Sequence, residues 1–268
     1  MTRTEAEVSR AQLTSQLRSL GVEPGGVLLA HTAFRAVRPV EGGPLGLIDA
    51  LRMALGPQGT LVMLSSANDD DVPFDPTTTP AAADLGVVAD IFWRVPGVLR
   101  SNHPFAFAAI GPRAAEITSD PLPIPPHVAE SPVGRVHQLN GQVLLLGVGH
   151  DANTTLHLAE LLAGVPYRVL RYCTVLRDGR PVRIEYGEND HCCQRFALAD
   201  AWLRPQGLQS EGRVGHAHAR LARARDVVRL ALEHLADDPL MFLHPPDAGC
   251  AECDDARRSV ESPPASRR

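Results

Sequence analysis

Apolar positions in the first quarter of the chain fall into two successive units, each a helical stripe followed by a short unbroken apolar run. Leu13, Leu17 and Leu20 share one face of a helix predicted over Thr4 to Leu20, with Gly21 as its stop. Gly26 to His31 then reads as a buried strand that ends on a polar residue. The second unit is a helix over Leu45 to Leu55, closed by Gly56-Pro57, and a strand over Gly59 to Leu64. Strand, helix and strand in this order build a parallel sheet.

Beyond Leu64 the pattern loosens. Ser65 to Pro80 is rich in Asp, Pro and Thr, which predicts a surface loop starting where a strand ends, the usual place for ligand contacts. Leu85 to Trp93 predicts a helix, Ala106 to Ile110 a strand, and the prolines from Pro121 to Pro126 a stiff crossing segment. Gly141 to Val148 is the clearest strand, and Asn153 to Gly164 is a helix with a capping residue at one end and glycine at the other. Pro181 to Ile184 is strand-like, while Asp190 to Arg204 and Ala217 to Leu235 are predicted as later helices. The pattern predicts one α/β domain over residues 1–258 and a disordered tail over 259–268, rich in Ser, Pro and Arg.

Composition adds limits. The 268 residues, 44% hydrophobic and 21% charged, suffice for one large α/β domain with a substantial core. A net charge of −5 with scattered basic residues argues against a nucleic-acid partner, and Asp69-Asp70-Asp71 points to a cationic one. No run is apolar over the length of a membrane span or a signal peptide, so no membrane association and a cytoplasmic location are expected, with the five cysteines reduced.

Candidate chemistry centres on Asn153 to Gly164, where Asn153, His157, Glu160 and Gly164 fall on one side of an otherwise apolar helix. A histidine early in a buried helix, with a carboxylate one turn on to orient its ring, has the makings of a general base. A structural histidine bonded to backbone fits these residues equally well. The run Glu185 to His191 places Glu188 and Asp190 where carboxylates would hold ammonium groups, although ordinary helix N-terminal charge explains them too and is the simpler reading. His31-Thr32-Ala33-Phe34 could set a hydroxyl and backbone amides against a phosphate or pantetheine amide. Gly147-Val148-Gly149 lacks the spacing of a dinucleotide fingerprint, and no Walker sequence occurs. Cys192-Cys193 with Cys250 and Cys253 raises structural zinc, against which adjacent cysteines in a helix diverge. A rival chemistry is a metal-dependent hydrolase with His150, Asp151, His157 and Glu160 as ligands. A non-catalytic binding or sequestering protein is a third.

The run Gly147 to Glu160, Gly-Val-Gly-His-Asp-Ala-Asn-Thr-Thr-Leu-His-Leu-Ala-Glu, resembles the signature of the aminoglycoside 3-N-acetyltransferases, particularly the subgroup acting on apramycin and gentamicin. The likeness continues through Pro24 to His31, Gly43 to Ile48, Ser101 to Phe105 and Glu188 to Cys193, and spans roughly Leu13 to Arg257. It implies a single-domain α/β sandwich with a central mixed sheet, distinct from the GCN5-related acetyltransferase superfamily. It implies direct acetyl transfer from acetyl-CoA to the 3-amino group of a 2-deoxystreptamine ring, with coenzyme A and the aminoglycoside as small-molecule partners and antibiotic resistance as the result. Carried over by position, the resemblance implies His157 as the base with Glu160 and Glu188 in catalytic positions. It sets Asp70, Asn153, Glu188 and Asp190 toward the aminoglycoside, and His31, Thr32, Ala33, Phe34, Ser101, His103 and Phe105 toward the coenzyme. The chain departs from the family at Thr32-Ala33, where two hydroxyl residues are usual, and at Leu64 to Asn68, where a Trp is usual. Both changes bear on the coenzyme contact and the drug range, so acetylation of another amine natural product is the near alternative.

Overall fold

The computed structural model describes residues 6–119 and 124–261. Helix α1 (Arg10–Leu20) leads to strand β1 (Val27–Thr32), and α2 (Phe34–Val37) and α3 (Gly43–Leu55) lead to β2 (Thr60–Leu64). Then come α4 (Gly86–Phe92), β3 (Leu99–Arg100), β4 (Phe107–Ile110), α5 (Ala114–Thr118), α6 (Pro132–Gln138) and β5 (Gln142–Leu146). The last part holds α7 (Thr155–Ala163), β6 (Val169–Arg177), β7 (Arg180–Glu188), α8 (Ala199–Leu203), β8 (Gln209–Val214), β9 (Ala217–Arg223), α9 (Ala224–Asp237) and α10 (Ala251–Glu261).

Seven strands form one mixed sheet in the order β3-β4-β2-β1-β5-β9-β8. β1 runs parallel to both β2 and β5, and the outer pairings are antiparallel. Alternate residues of the central strands supply two separate cores, as the two-residue period of a strand requires. Leu28, Ala30, Leu61, Met63, Leu144 and Leu146 meet apolar residues of α1, α3 and α4 on one face. Leu29, Val62, Val143 and Leu145 meet those of α6, α7 and α9 on the other. The expected α/β sandwich around a mixed sheet is therefore the observed one.

β1 leads through α3 on one face to β2, while β5 enters on the other side of β1 after α6, which packs on the opposite face. The connections part at the carboxyl ends of β1, β2 and β5, and a crevice opens at such a divergence. The loop after β2 is fixed from outside by the two-stranded ribbon β6-β7. Phe74 bridges to Val175, Thr174 Oγ1 donates to Asp70 O at 2.7 Å, and the Tyr172 hydroxyl donates to Asp71 Oδ1 at 2.9 Å.

Several predicted elements change. Helix α1 begins at Arg10 because Ser9 and Gln12 form a capping box there, and Thr4 lies outside the described residues. Ala217 to Leu235 is not one helix. Its first seven residues are strand β9, in which small apolar Ala217, Ala219 and Leu221 alternate with His218 and Arg220, and pairing with both β5 and β8 overrides their helix propensity. Asp190 to Arg204 is helical only from Ala199, after a tighter turn over Gln194–Leu198, because Cys193 adopts a left-handed conformation at φ 59°. Helix α10 includes Ser259 to Glu261, the first residues of the expected tail, and Ser259 Oγ accepts from Arg168 N at 2.8 Å. Residues 262–268 and Pro121 to Pro123 of the crossing segment lie outside the described residues. Among the described residues no helix is long and apolar enough to cross a membrane.

Gly147 joins β5 to the crevice at φ +74°, and a Cβ there would stand 2.8 Å from Ala36 Cβ and 3.2 Å from Ala33 O. Gly147→Ala is predicted to lower stability by about 1–3 kcal/mol through strain and overpacking. A shifted denaturant midpoint checks this; an unchanged one contradicts it.

Candidate active site

Helix α7 starts at the carboxyl end of β5, where Asn153 Oδ1 accepts from Thr155 N at 3.1 Å and its amide meets His150 Nδ1 at 3.0 Å. One turn in, His157 Nδ1–H donates to Glu160 Oε2 at 2.8 Å, and at 16% exposure its ring is the open end of an otherwise sealed network. Glu160 has no solvent exposure. Its second oxygen, Oε1, accepts from His191 Nε2 at 2.7 Å and from the buried Tyr167 hydroxyl. The Cys193 backbone N–H donates to His191 Nδ1 at 3.0 Å, which fixes His191 as the neutral Nε2–H tautomer. Glu160 is thus the anion of the cluster.

This arrangement leaves Nε2 of His157 directed away from Glu160, with Cys193 Sγ at 3.3 Å. The His127 ring stacks on His157 with centroids 4.9 Å apart, Phe196 packs edge-on at the same separation, and Phe105 meets His127 edge-on at 5.5 Å. His127 Nδ1 stands 3.5 Å from Glu188 Oε1, so Glu188 reaches His157 only across His127, and the carboxylate that orients His157 is Glu160.

Electrostatics follow from burial and these contacts. Burial alone would lower the His157 pKa, but Cys193 and then Glu160 outweigh it and hold the ring well above the ordinary 6.5. Burial pushes Glu160 up, and hydrogen bonds from His157 and His191 bring it below its ordinary value. Burial pushes the His127 pKa down. Asp70 is raised by burial and then by the nearby Glu188, with Arg171 offsetting part of the rise.

A cleft of about 380 Å³ lies over the carboxyl ends of β1 and β2. His31, Thr32, Phe105, Asn153 and His157 from the sequence-based set line it, together with His127, Cys193 and Phe196. Ala33 and Phe34 line an adjoining groove of about 530 Å³ with Arg35 and Arg38, and both spaces share Thr32, Asp84, Leu85 and Val148. Ser101 and His103 stand apart from the cleft lining. Ser101 Oγ accepts from Phe107 N at 2.9 Å and His103 Nδ1 from Phe105 N at 2.8 Å, so they shape the turn that presents Phe105. Asp190 is bound by Arg171, with Nε to Oδ2 at 2.6 Å.

Both ring nitrogens of His150 are engaged, Nε2 by Gln209 Oε1 at 2.8 Å and Nδ1 by Asn153, so His150 does not converge with His157 as the hydrolase reading requires. His127, Tyr167, His191 and Phe196 join the site without having been marked in the sequence. His191 ends a run that stands out for its acidic residues, and no periodic pattern marks the others.

The chain matches the family model described as aminoglycoside 3-N-acetyltransferase over residues 29–236. It is 67% identical over 243 residues to aminoglycoside N(3)-acetyltransferase IV from Salmonella sp., covering 91% of this chain and 93% of that one. Among solved structures it is similar to a histidine-to-alanine mutant of aminoglycoside acetyltransferase AAC(3)-IVa in complex with a gentamicin. That match has a TM-score of 0.95 at 66% identity, covering 97% of this chain and 100% of that one. It is similar also to AAC-IIIb in a binary complex with CoASH, with a TM-score of 0.79 at 27% identity, covering 87% and 97%.

The His157 environment generates a titration prediction. In an NMR titration His157 should change charge above pH 6.5, and both Cys193→Ala and Glu160→Gln should move its midpoint down, since each removes a contribution that favours the protonated ring. A wild-type midpoint below 6.5, or one unmoved by both substitutions, contradicts the assignment.

Proposed function

The chain belongs to the aminoglycoside 3-N-acetyltransferase family, and from that premise we propose that it moves the acetyl group of acetyl-CoA directly to the 3-amino group of an aminoglycoside, with His157 as general base. The observation that carries the base assignment is the 2.8 Å bond from His157 Nδ1 to buried Glu160, which leaves Nε2 as the acceptor on the cleft side. Acetylation removes a cationic site from the drug, and resistance is the consequence. We place the reaction in the cytoplasm, where acetyl-CoA is supplied.

The incoming amine must be neutral to attack, and a polycationic ligand arriving beside His157 disfavours the imidazolium by Coulomb repulsion. Displacement of Cys193 by the amine removes a second contribution to the raised pKa. Binding therefore prepares the base it needs. The nitrogen attacks the thioester carbon, Nε2 takes the amine proton, and collapse forms the amide and breaks the carbon–sulfur bond. The same proton then goes to the departing coenzyme thiolate.

Asp70 and Glu188 form the half-buried acidic end, where ammonium groups of the drug relieve their mutual repulsion. Asp190 is already paired with Arg171, so it contributes less. Thr32, Phe34, Arg35 and Arg38 line the adjoining groove, with two guanidinium groups suited to the phosphates of coenzyme A.

The 3.3 Å contact between Cys193 Sγ and His157 Nε2 favours one second reading, in which Cys193 carries the acetyl group as a thioester. Intact-mass measurement with acetyl-CoA alone separates the two. Direct transfer predicts no acetylated enzyme and substantial activity in Cys193→Ser; an accumulating acetyl-enzyme overturns it. His157→Ala should lower kcat by about 10²–10⁴-fold while gentamicin still binds. Asp70→Asn should raise KM by up to about tenfold with a small effect on kcat. Retained kcat in His157→Ala, or unchanged KM in Asp70→Asn, contradicts these roles.

A further inference from the structure

Cys192, Cys250 and Cys253 converge outside the cleft although the first and last are 61 positions apart. The sequence alone pairs Cys193 with this group, but its sulfur points instead at His157. Cys192 Sγ and Cys253 Sγ are 3.7 Å apart, the edge expected of a tetrahedron with zinc–sulfur bonds of about 2.3 Å and well beyond the roughly 2.05 Å of a disulfide. The three sulfurs stand within 4.8 Å of one another.

Cys250 directly precedes α10, and Cys253 lies fully buried in its first turn. Three thiols could pack as small apolar groups, but three that converge from two distant segments at the spacing of a tetrahedral edge match a soft metal site.

We propose that Cys192, Cys250 and Cys253 bind one structural Zn²⁺, with water as the fourth ligand, and so pin α10 to the loop that carries His191 and Cys193. The ion ties the C-terminal helix to the segment that meets both Glu160 and His157. Its loss loosens that segment without removing any cleft-lining residue.

Elemental analysis of protein purified without a metal-affinity matrix and dialysed against zinc-free buffer should find about one zinc per chain. Cys250→Ser should lose it and melt at a lower temperature, whereas Cys173→Ser, which alters a free cysteine outside the group, should keep it. Metal-stripped protein given Co²⁺ should show thiolate charge-transfer absorption and tetrahedral ligand-field bands, and both should be lost in Cys250→Ser. Cys250 is only partly buried, so circular dichroism can verify that this variant folds even where Cys253→Ser does not. Stripped wild-type protein that takes up neither Zn²⁺ nor Co²⁺ overturns the proposal. So does metal retained in Cys250→Ser but lost in His157→Ala, which would place the ion among His157, His191 and Cys193.

Discussion

A carboxylate sealed from water has to be held by donors from every side, and Glu160 imposes that demand on this fold. Its two oxygens take hydrogen bonds from His157, His191 and Tyr167, which reach it from helix α7, the loop after β7 and the segment before β6. Removing one partner from such a buried charge costs about 3–5 kcal/mol. The loop bearing His191 must therefore fold back against α7, and it does so through the left-handed turn at Cys193. The geometry that satisfies Glu160 also fixes which nitrogen of His157 faces the cleft. On the proposed mechanism, stability and catalysis draw on the same hydrogen bonds.

The sheet sets where this cluster sits. β1 has parallel neighbours on both sides, so the chain diverges at the carboxyl ends of the central strands and leaves the cleft there. The surroundings of the cleft differ in charge from one side to the other. Asp70 and Glu188 make one region acidic, while Arg35 and Arg38 make the adjoining groove basic. Under the proposed function, a cationic drug and a phosphorylated coenzyme would be led to different sides of one histidine. The β6-β7 ribbon, separate from the main sheet, serves the acidic side by fastening the loop that carries Asp70.

How much of this is legible in the sequence depends on where the information lies. The α7 helix, its Asn153 cap, its Gly164 end and the His157–Glu160 spacing are local, and the structure has them as the pattern predicts. Whether His157 is a base or a structural residue is not local, because the answer rests on Tyr167 and His191, which share no periodic pattern with it. His127 follows a proline-rich segment where helix and strand periods carry no signal. Ala217 to Arg223 favours helix by its Ala and Arg content, and its pairing with β5 and β8 is visible only in three dimensions. Cys192 and Cys193 form one unit in the sequence, yet the turn between them sends one sulfur to α10 and the other to His157.

If Glu160 acts through His157, the two form one catalytic unit and their removal cannot be additive. The most direct test is kcat/KM for acetyl transfer in His157→Ala, Glu160→Gln and the double variant, at a pH where the wild type is fully active. The double variant should be no slower than His157→Ala alone. Losses that multiply would show that Glu160 acts independently of His157 and would contradict its role as the group that orients the base.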